Sequence, residues 1–177
     1  MSACGDGGAS EGGGQPNFIA GTDGVSTAPK GERRPTAELA GETLQGRKLN
    51  VADFRGKVVV MNVWGSWCPP CRAEAPTFAK VAKDTESQGV AFVGIDTRDT
   101  SRTPALAFEK AYDIEYPSLY DPTGKLILDG FPKGTLNPQT IPSTVILDRE
   151  GKMAARALRP PTEDSLLKMI DPLIAEN

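Results

Sequence analysis

Histidine is absent from this 177-residue chain. Its absence removes the commonest general base and the commonest metal ligand. Cysteine is scarce, with only Cys4, Cys68 and Cys71 present. Three cysteines cannot staple a multi-bridge disulfide scaffold. No apolar run approaches the roughly 20 residues needed to span a bilayer, so the chain as given reads as soluble. Neither sign of charge dominates: 20 Lys and Arg face 23 Asp and Glu, for a net charge of −3. With no long basic run, there is no electrostatic footprint for nucleic acid. Hydrophobic residues nevertheless make up 38% of the chain, enough to bury the core of one domain.

Glycine is distributed unevenly. Nine of the 19 glycines lie within Met1–Gly31, where Phe18 is the only aromatic residue. Such a composition cannot offset its ordering entropy by burial, so residues 1–35 are expected to form a disordered tether spanning about 30 Å.

Residues 36–177 are expected to form one α/β domain. Leu39, Leu44 and Leu49 alternate with turn-like glycines, which predicts a short hairpin. The all-apolar stretch Val58–Trp64 predicts a strand buried on both faces, and Val90–Asp96 a second. A helix is expected from about residue 70 to 87, with Phe78, Val81 and Ala82 inward, and another over Thr103–Tyr112 with Pro104 near its start. "SLYD" and "GKLIL" are ambiguous. Ser143–Asp148 and Lys152–Leu158 predict a hairpin. A last helix carries Leu166, Leu167, Ile170 and Leu173 on one face, with Thr162 or Asp164 as N-cap. This order implies a mixed sheet with helices on both faces.

Cys68 and Cys71 stand three apart in "WCPPC", just where the Val58–Trp64 strand gives way to a helix. Zinc normally takes four thiolate or imidazole ligands, and this chain offers only one further cysteine. A purely structural bridge would close a very short loop, where the entropic gain is least. A catalytic dithiol fits the flanks. Proline suits the first helical position, so Pro70 is expected there with Pro69 as N-cap and Cys68 just before the helix. Cys68 would then face unpaired N–H groups and the positive end of the helix dipole, which favour thiolate. Cys71, in the first turn, is expected to be the more buried thiol.

The run "NVWGSWCPPCRAEAP" resembles the active-site signature of the thioredoxin superfamily, and within it the TlpA/ResA-like branch of extracytoplasmic thiol–disulfide oxidoreductases. The resemblance covers residues 36–177. It implies a thioredoxin fold, with an N-terminal β-hairpin and a helical insertion, and a dithiol in which Cys68 attacks and Cys71 resolves. Trp67 matches the family's active-site tryptophan, an apolar docking surface that Pro69 and Pro70 extend, while Trp64 reads as core. Pro76 matches a helix-kink proline. Pro142 in "TIPST" matches the family's cis-proline, although an ordinary strand-start proline would also fit. In the family reading the Ile141 backbone pairs with the partner's extended chain. Glu74 matches a glutamate that assists proton transfer at the dithiol. Asn62 stands where cytosolic thioredoxins carry a buried aspartate, which leaves Glu74 as the nearest proton acceptor. The Pro/Gly-rich segment Asp129–Ser143 is longer than the family's usual approach to the cis-proline. It reads either as a rim that selects partners or as a passive insertion.

"SAC" followed by glycine resembles the end of a bacterial lipobox, which makes Cys4 a lipidation site on a chain truncated from a longer precursor. The alternative is an incidental tail cysteine behind a native Met1. The family reading implies a membrane-tethered monomer on the outer face of a bacterial cytoplasmic membrane. It would reduce protein disulfides in cytochrome c or metalloenzyme maturation and be recharged by a membrane electron donor, with no metal and no cofactor beyond its redox-active disulfide. An oxidase or isomerase of the same fold is the nearest alternative. A peroxidase would need a threonine-containing cysteine context, and a copper chaperone a histidine ligand.

Overall fold

The computed structural model describes residues 17–176. Its centre is β5 (Val58–Trp64), buried along its whole length. On one side β5 pairs in parallel with β6 (Val90–Thr97), and on the other antiparallel with β8 (Ser143–Leu147). A seven-stranded mixed sheet grows outward from these three in the order β1-β2-β9-β8-β5-β6-β7. Here β1 is Ile19–Ala20, β2 is Val25–Thr27, β7 is Ser118–Asp121 and β9 is Met153–Ala157. A separate antiparallel pair, β3 (Ala40–Glu42) and β4 (Lys48–Asn50), carries the expected hairpin.

Strand pleating sorts β5 into two faces. Val58 and Val60 point toward α1 (Pro69–Thr85) and α4 (Glu163–Ala175), meeting Phe78, Val81, Leu166 and Ile170. Val59, Met61 and Val63 point the other way, toward Leu39, Val51, and Ile127 of the short α3 (Lys125–Gly130). The ambiguous "SLYD" is thus a strand and "GKLIL" a helix. The remaining helix, α2 (Arg102–Ala111), lies between β6 and β7, and its Ala105 and Phe108 pack with Trp64 and Cys71. Thr162 caps α4: its Oγ1 accepts from the Ser165 N–H at 3.1 Å, and Ser165 Oγ accepts from the Thr162 N–H at 2.9 Å. Among the described residues no helix is long and apolar enough to cross a membrane.

The fold begins earlier than composition implied. Residues 19–27, read from sequence as tether, form β1 and β2, and β2 extends the sheet on the edge of β9. The glycines read as disorder include a working turn, with Gly24 at φ 72 between the two strands. Arg33 then locks the segment down. Its guanidinium donates to Asp148 at 3.1 Å and to both Glu176 oxygens at 2.7 Å. Backbone pairing and a long-range ion network supply what the segment's own side chains lack, and neither is visible in local composition. Residues 1–16, with Cys4, lie outside the described residues.

Arg33 and Asp148 are both buried, so removing the cation leaves a buried carboxylate partly uncompensated. Arg33→Ala is expected to lower the unfolding free energy by about 3 kcal/mol in urea denaturation. A free tether at this position would give a change near zero.

Candidate active site

Three segment ends meet at the C-terminal edge of β5. Past Trp64 the chain makes the Gly65–Trp67 turn and enters α1. Helix α1 starts at Pro69, and its N-cap is Cys68, one residue earlier than the sequence reading placed the cap. The cause is that both prolines fit the first turn, where an N–H has no intrahelical partner to lose. Because neither proline has an N–H, Cys71 supplies the first N–H of the helix. It is shared between the Cys68 carbonyl at 3.1 Å and Cys68 Sγ at 3.3 Å. Cys68 and Cys71 are joined as a disulfide with their Cα atoms 5.3 Å apart. Burial does not separate the two as expected, since they are 2% and 1% exposed. The packing of α2 and of the segment before β8 encloses both sulfurs. Around them Trp67, Pro69 and Pro70 stay exposed.

The register Val63↔Ser143 brings the start of β8 beside the end of β5. The preceding Ile141–Pro142 bond is cis, and the Ile141 carbonyl oxygen lies 3.9 Å from Cys68 Sγ. The segment leading to it is anchored rather than loose. Arg156 Nη1 donates to the Gly134 and Thr135 carbonyls at 2.9 and 3.0 Å, and Leu136 and Ile141 pack against the core.

Glu74 sits one helical turn beyond Cys71 and is 4% exposed. Its Oε1 accepts from Asn62 Nδ2 at 2.8 Å, and its Oε2 has no hydrogen-bond partner among the described residues. Burial pushes the carboxyl up to about 8, against the opposing pull of the Asn62 bond. Near neutral pH the protonated form therefore predominates, in exchange with an ionised fraction. Asn62 points toward α1 because it shares the even positions of β5 with Val58 and Val60. It also lines, with Cys71, Phe108 and Tyr116, a cavity of about 10 Å³, room for a single water. The pair read from sequence as parts of the site is thus hydrogen-bonded.

Sequence reasoning missed Tyr116 on this cavity, and it missed Ser66, Thr97, Arg98 and Asp99 beside the turn. "GSW" held one signal. A Cβ on Gly65 would run into the Trp67 indole, so any larger residue there would displace that ring. Among the described residues no group of three or more His, Cys, Asp or Glu side chains is arranged to hold a metal ion.

The AhpC/TSA family matches residues 31–156. The chain belongs to this family. Among curated relatives, the thiol:disulfide interchange protein HelX of Rhodobacter capsulatus is 36% identical over 154 residues, covering 85% of this chain and 80% of that one. The thiol-disulfide oxidoreductase ResA of Bacillus thuringiensis subsp. konkukian is 30% identical over 132 residues, 73% and 72% of the two chains. Two solved structures align over most of this AhpC/TSA member. A DsbF homologue from Corynebacterium diphtheriae has a TM-score of 0.79 at 36% identity, covering 88% of this chain and 96% of that one. A secreted thiol-disulfide isomerase from Corynebacterium glutamicum has a TM-score of 0.82 at 30% identity, covering 93% and 100%. The expected thioredoxin fold and thiol–disulfide chemistry hold: the protein is an oxidoreductase whose redox pair is Cys68–Cys71.

The Glu74 carboxyl binds its proton more tightly folded than unfolded. Stability therefore falls as pH rises from the ordinary glutamate value near 4.5 to about 8, and levels off above. Burial also pushes Asp96 up to about 9 and Glu109 up to about 7, with the same sign. Oxidised protein in urea is expected to be several kcal/mol less stable at pH 8.5 than at pH 5. Glu74→Gln should remove part of that slope, and an unchanged slope would show that Glu74 is ionised in the folded state.

Proposed function

We propose that this oxidoreductase acts as an extracytoplasmic reductant of protein disulfides. The observation that carries the reading is Cys68 Sγ at the N-terminus of α1, on the Cys71 N–H, with the Ile141 carbonyl 3.9 Å away. The helix N-terminus favours thiolate, which makes Cys68 the attacking group. Its thiolate opens a substrate disulfide, forms a mixed disulfide and releases the first substrate thiolate. Cys71 then loses its proton and attacks Cys68 Sγ. The mixed disulfide breaks, the second substrate thiolate leaves, and the Cys68–Cys71 disulfide remains; the substrate has gained two electrons. The ionised fraction of Glu74 takes the Cys71 proton in this step and returns it when the dithiol is regenerated. A carboxyl held up to about 8 suits that exchange at neutral pH.

Trp67, Pro69 and Pro70 offer the partner an apolar, exposed surface, and the Ile141 backbone adjoining cis-Pro142 offers it an edge to pair with. The names of the ResA and HelX relatives, and the secreted character of the C. glutamicum protein, support this reading. In it the chain works as a monomer at the outer face of a bacterial cytoplasmic membrane, anchored by a lipid on Cys4. A membrane electron donor recharges it, and the substrates are disulfides of apocytochrome c or of proteins awaiting a metal. No cofactor beyond the disulfide enters.

A second reading, net oxidation or isomerisation, is favoured by the similarity to the isomerase and the DsbF homologue. Equilibration of the purified protein with glutathione decides between them. A reductant should have a potential more negative than about −230 mV, and a value near −120 mV would overturn the reading. In a Cys4→Ala background, Cys71→Ala should accumulate mixed disulfides with protein substrates at Cys68. Equal trapping by Cys68→Ala would reverse the two thiol roles.

A further inference from the structure

The register Trp64↔Asp96 in parallel β5 and β6 carries the residues after β6 alongside the turn after β5. Arg98 there adopts φ 59, a left-handed backbone uncommon for a side-chain-bearing residue. Three consecutive residues around this bend contact the turn. The Thr97 carbonyl accepts from Trp67 Nε1 at 3.2 Å. The Arg98 guanidinium lies 4.5 Å from the centre of the Trp67 ring. Asp99 accepts from the Ser66 N–H at 2.9 Å through Oδ2 and from the Ser66 hydroxyl at 2.6 Å through Oδ1. The remaining polar atom of Ser66, its carbonyl, accepts from Arg72 at 2.8 and 3.2 Å.

Asp99 is itself held. Its side chain is buried, and its carbonyl accepts from the Tyr120 hydroxyl at 3.0 Å. Asp96 lies behind it with no exposed surface. Burial pushes Asp96 up to about 9, and the neighbouring Asp99, Glu109 of α2 and Asp121 of β7 add to this by repulsion; neither Asp96 oxygen has a hydrogen-bond partner among the described residues.

We propose that Asp99 is a positioning residue for the redox dithiol: by holding Ser66 at both its N–H and its hydroxyl, it fixes the Gly65–Cys68 turn and so the alignment of Cys68 Sγ on the Cys71 N–H. Ser66 is only two residues before Cys68, and the Cys68 N–H closes the turn on the Gly65 carbonyl at 3.2 Å. A loosened turn lets the sulfur drift from the helix N-terminus, and the thiolate loses its stabilisation. The proposal rests on Cys68 being the attacking thiol.

Charge and position predict opposite signs, which makes the test sharp. Removing the Asp99 charge would by electrostatics alone ease ionisation of the Cys68 thiol, whereas releasing the turn hinders it. The reduced full chain is alkylated with iodoacetamide across pH, and each modified cysteine is assigned by mass spectrometry. In Asp99→Asn the midpoint for Cys68 should rise by about 0.5 pH or more, roughly threefold less thiolate at a fixed lower pH. Ser66→Ala, which keeps the Asp99 charge and only removes the hydroxyl bond, should shift it the same way by less. The double variant should shift it no further than Asp99→Asn. An unmoved or lowered midpoint in Asp99→Asn overturns the proposal. If that variant does not fold, Ser66→Ala decides alone, and an unmoved midpoint overturns it. Alkylation of Cys71 before Cys68 in the unsubstituted protein would instead overturn the attacking-thiol assignment, and the proposal with it.

Discussion

The structure depends on β5 being paired along its length with β6 on one side and β8 on the other. A strand with both faces and both edges covered has no freedom of register, because a one-residue slip would carry Asn62 to the opposite face and expel a valine from each layer. That fixed register makes three distant segment ends neighbours. The turn after β5 holds Cys68, the residues after β6 hold Asp99, and the residues before β8 hold Ile141 and Pro142. The active site is the place where these ends converge, and α1 adds the second cysteine and Glu74.

The electrostatics of the site run against stability. Glu74, Asp96 and Glu109 are carboxylic acids with little or no exposed surface, and burial raises the proton affinity of each. A domain with Arg33 on Asp148 and Glu176 elsewhere can tolerate them. Two of them flank the site: Glu74 lies one turn of α1 beyond Cys71 and is bonded to Asn62, and Asp96 stands behind Asp99 at the turn. A carboxyl whose proton affinity is raised toward neutral pH can exchange a proton there, where an ordinary carboxylate stays ionised.

Much of the site was legible in the sequence because its parts lie in one contiguous motif. Cys68 and Cys71 announce a dithiol by spacing, and the two prolines mark the helix start to within one residue. Glu74 and Asn62 were singled out only through the family resemblance, at motif positions counted from those cysteines, and their hydrogen bond follows from the pleat of β5 meeting the first turns of α1. Asp99 was not legible. An aspartate in "TRDT" reads as a polar loop residue, and only the parallel register beside Trp64 puts it against Ser66. The N-terminal segment was misread for a related reason, since glycine content speaks to local entropy and is silent about an available strand edge.

By itself the sequence determined the chemistry: a two-cysteine redox pair at a helix N-terminus, a chain without imidazole, and a core rich enough for one α/β domain. Those properties are local, set by residue type and short-range spacing, so they survive without knowledge of the fold. Only the tertiary structure decided which polar groups share the site and where the domain begins. Partners such as Ser66 and Asp99, Cys68 and Ile141, or Arg33 and Glu176 stand 33, 73 and 143 residues apart along the chain. Contacts across such separations are set by strand register and layer packing, which no short stretch of residues encodes alone.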